Sequence, residues 1–185
     1  MTYYGASELA RSFQTVRANT IQIAEEIPED SYGFRPAEGS RSIAELLAHI
    51  ALMPRAAEKI HFTDHLHTLV GFDFFGLMGA LHADMMKPRS KAEILDLLRT
   101  EGEKFATLLD GVTEEFLAEQ IEYPAGMNPP FKSRFEMLIS PKEHEMHHRA
   151  QLMVIQRLLG VTPHLTRHME ERIAQMRAAA AAQAR

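Results

Sequence analysis

The sequence predicts an all-α fold, a four-helix bundle with one long crossover connection and an extra C-terminal helix. Three observations predict it: four long segments carry apolar residues near helical spacing with charged residues between them, convincing strands are lacking, and one long middle stretch has no clear period. The 185 residues include no Pro/Gly/Ser-rich linker, which predicts a single domain over residues 1–185 with a substantial core. No internal repeat is visible.

The first helix is expected over residues 7–27, where Leu9, Phe13, Val16, Ile21, Ile23 and Ala24 form the apolar stripe. Pro28, Gly33 and Pro36 break it, and the aromatics Tyr32 and Phe34 of the following loop are expected to dock on the bundle. Ser42-Ile43-Ala44-Glu45 is a capping-box pattern that starts the second helix. That helix continues through Leu46, Leu47, His49, Ile50 and Met53, is kinked by Pro54, and resumes over residues 55–60. Residues 61–89 read as the long crossover, with a short helical turn in it. Ser90-Lys91-Ala92-Glu93 is a second capping box and opens the third helix, over residues 90–110, which Gly111 closes. A short capped turn at residues 113–117 and an irregular proline-containing piece at 123–130 lead to the fourth helix, over residues 133–159, which contains Pro141. Gly160 and Pro163 stop it, and an additional helix from 163 ends in an alanine-rich run whose last turns, 176–185, are expected to fray.

Composition excludes several classes. With no cysteine, the chain has no disulfide scaffold, thiolate zinc site, iron–sulfur cluster or cysteine nucleophile, and any thiol chemistry requires an external thiol. There is no signal-peptide pattern at the start and no apolar run of membrane-spanning length, so a cytoplasmic location without membrane association is expected. The formal net charge is −5 and the basic residues are dispersed among acidic ones, so nucleic acid is not an expected partner.

The chemistry-bearing segment is Glu143-His144-Glu145-Met146-His147-His148-Arg149-Ala150-Gln151. Residues four apart on a helix share a face, so the imidazoles of His144 and His148 converge, while His147 points elsewhere. Their stripe continues to Leu152, Ile155 and Leu159, which turns both histidines toward the bundle interior. A single histidine on an apolar face is most often a hydrogen-bonded core residue. Two at this spacing would repel on protonation, whereas a divalent cation between them keeps both neutral. Two nitrogens hold zinc or nickel poorly, and His49, among core-type residues on the second helix, is the leading third ligand. His61, His65 and His67 read as mainly surface residues, and His82, His164 and His168 as solvated or capping ones.

Phe34-Arg35-Pro36-Ala37-Glu38-Gly39-Ser40-Arg41-Ser42-Ile43-Ala44-Glu45-Leu46-Leu47-Ala48-His49-Ile50 resembles the stretch leading to the first metal histidine of DinB/YfiT-like proteins. The segment from Glu143 to Leu152 resembles their later H-E-x-x-H-R-x-Q motif. The resemblance runs over nearly the whole chain and implies a four-helix bundle with a crossover and a divalent metal on His49, His144 and His148. It also implies a homodimer. Ala150 departs from a frequent glycine, at a position expected to serve close helix packing.

Three histidines leave the ion its full charge and an open position, the arrangement of catalytic sites, with zinc or nickel favoured and iron also suitable. Such a site serves a metal-dependent hydrolase, or an S-transferase that uses a low-molecular-weight thiol, acting on a small molecule. Arg149 and Gln151 are candidates to support the ligands, Glu145 to reach bound water, and Asp73 to line a pocket. Two other readings compete. His144-Glu145-Met146-His147-His148 also spells the zinc-protease signature, with Glu170 or Glu171 as the further ligand, although Gln151 and Val154 exclude a metzincin and no strand offers a substrate edge. The other is a non-catalytic bundle stabilised by its metal.

Overall fold

The computed structural model describes residues 4–183. Its long helices are α1 (Ala6–Glu26), α2 (Ile43–Leu52), α5 (Lys91–Asp110) and α7 (Arg134–Leu158), with α8 (His164–Gln183) as the additional C-terminal helix. α3 (Pro54–Ala57) continues the line of α2 and widens into a π-helical turn, Glu58–Thr63. The boundaries follow local chemistry. Ser42 and Ser90 each accept a hydrogen bond from the backbone N–H three residues on, and Glu45 and Glu93 return the bond, so both expected capping boxes are formed. A third box, Ser133 with Glu136, starts α7 at the position expected for that helix. Gly160, at φ +78°, ends that helix in a conformation that a β-carbon disfavours.

α1 packs chiefly on α5 and α7, and α2 packs on the same two. The first two helices therefore occupy opposite corners of the bundle. Ile23, Ile27, Ile43, Leu47, Ile50, Leu98, Leu152 and Ile155 fill one half of the core, and Leu9, Phe13, Phe105, Leu109 and Leu138 the other. Tyr32 docks as expected: its ring is buried and its hydroxyl donates to the Ala24 carbonyl at 2.8 Å.

The crossover holds more order than a short helical turn. It contains α4 (Phe74–Met85), which packs on α2 and is tied down where Arg55 of α3 pairs with Asp84 at 2.9 Å. Asp73, expected to line a pocket, is instead the N-cap of α4, accepting from the Gly76 N–H, and lines neither of the clefts beside the histidines. The irregular piece before α7 is bracketed by two three-residue strands, β1 (Gln120–Glu122) and β2 (Phe131–Ser133), paired antiparallel after the short α6 (Glu114–Ala118). α8 runs through Gln183 with its side chains exposed from Ala174 onward, and Ala184 and Arg185 of the alanine-rich run lie outside the described residues.

A buried arginine joins all four bundle helices. Arg17 of α1 is 4% exposed, binds both carboxylate oxygens of Glu145 on α7 through Nε (3.0 and 3.1 Å), and donates to the carbonyls of Leu98 on α5 (2.7 Å) and Ile50 on α2 (3.3 Å). The Ile50 carbonyl needs that donor. In an unbroken helix it would accept from the backbone of residue 54, and Pro54 has no N–H.

Candidate metal centre

The structure brings His49, His144 and His148 together. α2 is fixed by its capping box and by the buried Ile43, Leu46, Leu47 and Ile50, which leave His49 facing α7. On α7 the two other rings stand one turn apart. Their Nε2 atoms converge: His49 lies 3.0 Å from His144 and 3.1 Å from His148, and His144 and His148 are 3.1 Å apart.

Hydrogen bonds on the far side of two rings set the tautomers. Nδ1–H of His148 donates to Gln151 Oε1 at 2.8 Å, and Nδ1–H of His49 points at the Met85 sulfur at 3.4 Å. Both rings therefore turn an Nε2 lone pair inward. Lone pairs held about 3 Å apart repel unless a cation lies among them, and neutral imidazoles on zinc-type ions are the standard solution to that arrangement. The donor set fits a divalent metal. Protonation is disfavoured in the same place: burial, then the charge of Arg41, pushes His49 down to about 3, and burial with the neighbouring His148 pushes His144 down to about 4. Burial lowers His148 as well.

The three rings stand between two clefts. The larger, about 700 Å³, reaches His148 and Gln151 and is rimmed by Arg35, Ser40, Arg41 and His82. A smaller one, about 170 Å³, reaches His144 and is lined mainly by apolar groups including Met53, Ile60, Met137 and Pro141. Arg35 is paired with Glu45, whereas Arg41 makes no hydrogen bond or ion pair among the described residues and leaves its charge over the larger cleft.

The other candidates sort clearly. Gln151 orients His148, while Arg149 is half-buried and makes no hydrogen bond to the three rings. Glu145 is 1% exposed and has both oxygens on Arg17, so it is the anchor of the buried ion pair and is held away from any attacking water. Glu170 and Glu171 are exposed on α8 and bring no carboxylate oxygen into the histidine group. Those two placements remove the base and the further ligand that a zinc protease requires. Ala150 faces outward and serves no close helix contact.

Two histidines expected at the surface are buried. His61 is 1% exposed, with Nδ1 accepting from Arg134 Nη1 at 3.1 Å, and His164 is buried with Nε2–H donating to Asn19 Oδ1 at 3.1 Å. His65, His67, His82 and His168 are exposed, as expected, and His147 is exposed outside the group of three, with its ring 3.3 Å from the Gln151 amide. Met85 and Arg41 carried no sequence signal for a place near the site, because α4 and the loop before α2 meet it only in the folded chain.

Known proteins share this fold. The chain is 27% identical over 161 residues to the uncharacterized protein YjoA of Bacillus subtilis (strain 168), a match that spans 85% of this chain and 92% of that protein. The crystal structure of DinB-like YjoA superposes with a TM-score of 0.57 at 24% identity, over 84% of this chain and 94% of that one. YfiT from Bacillus subtilis, described as "a probable metal-dependent hydrolase with an unusual four-helix bundle topology", superposes with a TM-score of 0.65 at 14% identity, over 88% and 91% of the two chains. A DinB-like protein from Bacillus cereus gives 0.63 at 19% identity, over 88% and 97%. At these identities the structural likenesses speak for the fold. The DinB family model matches residues 1–178, nearly the whole length, and the chain belongs to the DinB family.

Proposed function

We propose that this protein is a metal-dependent hydrolase acting on a small molecule, with one divalent cation on His49, His144 and His148. The observation that carries the reading is the convergence of three inward Nε2 atoms, 3.0–3.1 Å apart, at the wall of a cleft of about 700 Å³. The description of YfiT supports it. Zinc and nickel suit an all-imidazole set best, with iron also compatible.

When bound, the ion supplies Lewis-acid chemistry at an open position, activating water for hydrolysis or an external thiol for transfer. The chain's own residues prepare the place. Gln151 fixes the His148 tautomer, and Met85 packs against the outer nitrogen of His49. Burial disfavours protonation of the three imidazoles and the charge of Arg41 adds to it, while Arg41 also gives the cleft a positive edge that favours anionic groups on an incoming molecule. The Arg35–Glu45 pair braces the rim without adding net charge. Family resemblance extends the proposal to a homodimer, which light scattering on the purified protein tests. No helix among the described residues is long and apolar enough to cross a membrane.

The deciding experiment is metal content by plasma mass spectrometry on untagged protein, as purified, beside His49→Ala and His148→Ala. The expected result is about one tightly held ion in the wild type, lost in both variants, with hydrolysis of an activated-ester panel lost in parallel. Turnover only when a small thiol and an electrophile are supplied together would assign transfer instead. A metal-free wild type after zinc and nickel supplementation would sink the proposal. Removal of the ion only on unfolding, with no turnover of either kind, would make the metal structural.

A further inference from the structure

A second group of ligand-type side chains lies apart from the triad. His65 and His67 sit on the irregular stretch that follows the π-helical turn, and Glu119 sits just before β1. His65 Nε2–H donates to Glu119 Oε2 at 3.1 Å, and His67 Nδ1 lies 3.7 Å from the same oxygen. One donor atom from each residue falls within 4.8 Å of the others.

The scaffold beneath them is built with unusual care for a surface. Arg134, at the start of α7, is fully buried. Its Nε donates to Glu119 Oε2 at 2.8 Å, and its Nη2 donates at 2.9 Å to the carbonyl of Leu66, the residue between the two histidines. Its Nη1 is held by His61 Nδ1. One immobile guanidinium therefore fixes both the carboxylate and the backbone that carries the imidazoles. Further bonds pin the same segment. The Leu66 N–H donates to the Ile60 carbonyl at 2.9 Å, the Glu122 N–H to His67 at 3.0 Å, and the Leu69 N–H to Glu122 at 2.8 Å. His65 itself has φ +45°, and is the one described non-glycine residue with a positive value. A side chain seldom accepts that backbone without a local reason.

We propose that His65, His67 and Glu119 form a second divalent-metal site, of zinc or nickel type, that clips the crossover to the junction between α6 and β1. Two imidazoles and one carboxylate are a ligand set these ions accept, with the remaining positions left to water. The ion takes the place of the hydrogen that His65 now shares with Oε2, and the imidazole carries its hydrogen on Nδ1 instead, so the ring stays neutral. The other oxygen lone pair stays on Arg134, which orients the carboxylate as outer hydrogen bonds do in other metal sites. The arginine charge also limits affinity. Exposed ligands and a nearby guanidinium make this site weaker than the triad, so it fills when zinc is in excess.

Calorimetric titration of untagged, metal-stripped protein with zinc chloride tests the site. His67→Gln and His49→Ala are compared singly and together with the wild type. His67 is exposed, so its replacement leaves the fold intact. The wild type is expected to take up about two ions per chain, each single variant about one, and the double variant none. A second readout is independent of stoichiometry: excess zinc raises the melting temperature of His49→Ala and not that of the double variant. Two ions in His67→Gln would overturn the proposal, as would a wild type that binds one ion lost only with His49→Ala. One ion lost with His67→Gln and kept in His49→Ala would support this site and sink the triad.

Discussion

Gln151 Oε1 accepts the Nδ1–H of His148 across 2.8 Å, one helical turn along α7, and by doing so decides which nitrogen of that ring faces His49 and His144. The amide also reaches His147 at 3.3 Å, so a residue outside the ligand set governs two of the three histidines in the motif.

Replacing Gln151 by alanine frees the His148 ring to rotate and to place its hydrogen on Nε2. Metal affinity is expected to fall about 10–100-fold with the melting curve of the metal-free protein little changed. Competition against a chelating dye measures it, and an unchanged affinity would show that packing alone orients the ring.

The Arg17–Glu145 pair predicts a stability cost with a particular asymmetry. Arg17→Met strands a buried carboxylate and leaves the Ile50 carbonyl without a donor, and is expected to cost about 3–5 kcal/mol in urea denaturation. Glu145→Gln keeps an acceptor for the guanidinium and is expected to cost less. Its metal content, measured on the folded fraction, is expected to equal that of the wild type. A loss of metal from Glu145→Gln at full folding would return this residue to the chemistry.

Gly102 reverses a common rule. In most helix interiors alanine is better than glycine by about 1 kcal/mol. Here a β-carbon would stand 2.8 Å from Cγ of Arg17, whose position is fixed by its partners on the other three helices. Gly102→Ala is expected to destabilise by about 1–3 kcal/mol, and a higher melting temperature for this variant would contradict the rigidity assigned to Arg17.

Acid sensitivity follows from the buried histidines. Burial, with the charge of Arg134 adding to it, pushes His61 down to about 4, against an ordinary value near 6.5 in the unfolded chain. Below about pH 6.5 the unfolded chain takes up a proton that the folded one refuses, so stability is full above that value and falls as pH drops toward 4. The limiting slope is about 1.4 kcal/mol per pH unit for each such group. Metal-free protein is expected to show a flat urea midpoint from about pH 7 to 8 and a decline between about 6.5 and 5, above the range where carboxylates titrate. His61→Gln, which still offers Arg134 an acceptor, is expected to make that decline shallower. Equal slopes would remove His61 from the account.

Truncation after Gln175 tests the tail. From Ala174 onward every described side chain of α8 is exposed, and the buried residue of that helix is His164 at its start. Deleting residues 176–185 is expected to leave the unfolding free energy within about 0.5 kcal/mol. A larger loss would mean that these turns pack on something, such as a second subunit.

Local chemistry was readable in the sequence, and distant partnership was not. The boxes at Ser42 and Ser90 lie within four residues, and the spacing of His144 and His148 within one turn, so each could be read directly. Arg17 sits on the apolar stripe of α1, four residues after Phe13 and three before Thr20, which marks it as inward-facing. Its partner is 128 residues away, and nothing local names it. His61 and His164 looked solvated because Arg134 and Asn19, which satisfy them, are supplied by other elements. The strands β1 and β2 have three residues each, too few for an alternating pattern to register.

The opposite-corner placement of α1 and α2 bears on how the chain is made. A helix pair joined by a short loop commonly packs as soon as both halves leave the ribosome, but these two have little surface to offer each other. The partner common to both is Lys91–Asp110, followed by Arg134–Leu158. Until the first of these emerges, the apolar face of the first helix and the part of the second that α4 does not cover remain open, and the half-synthesised protein is the form most exposed to aggregation and to chaperone capture.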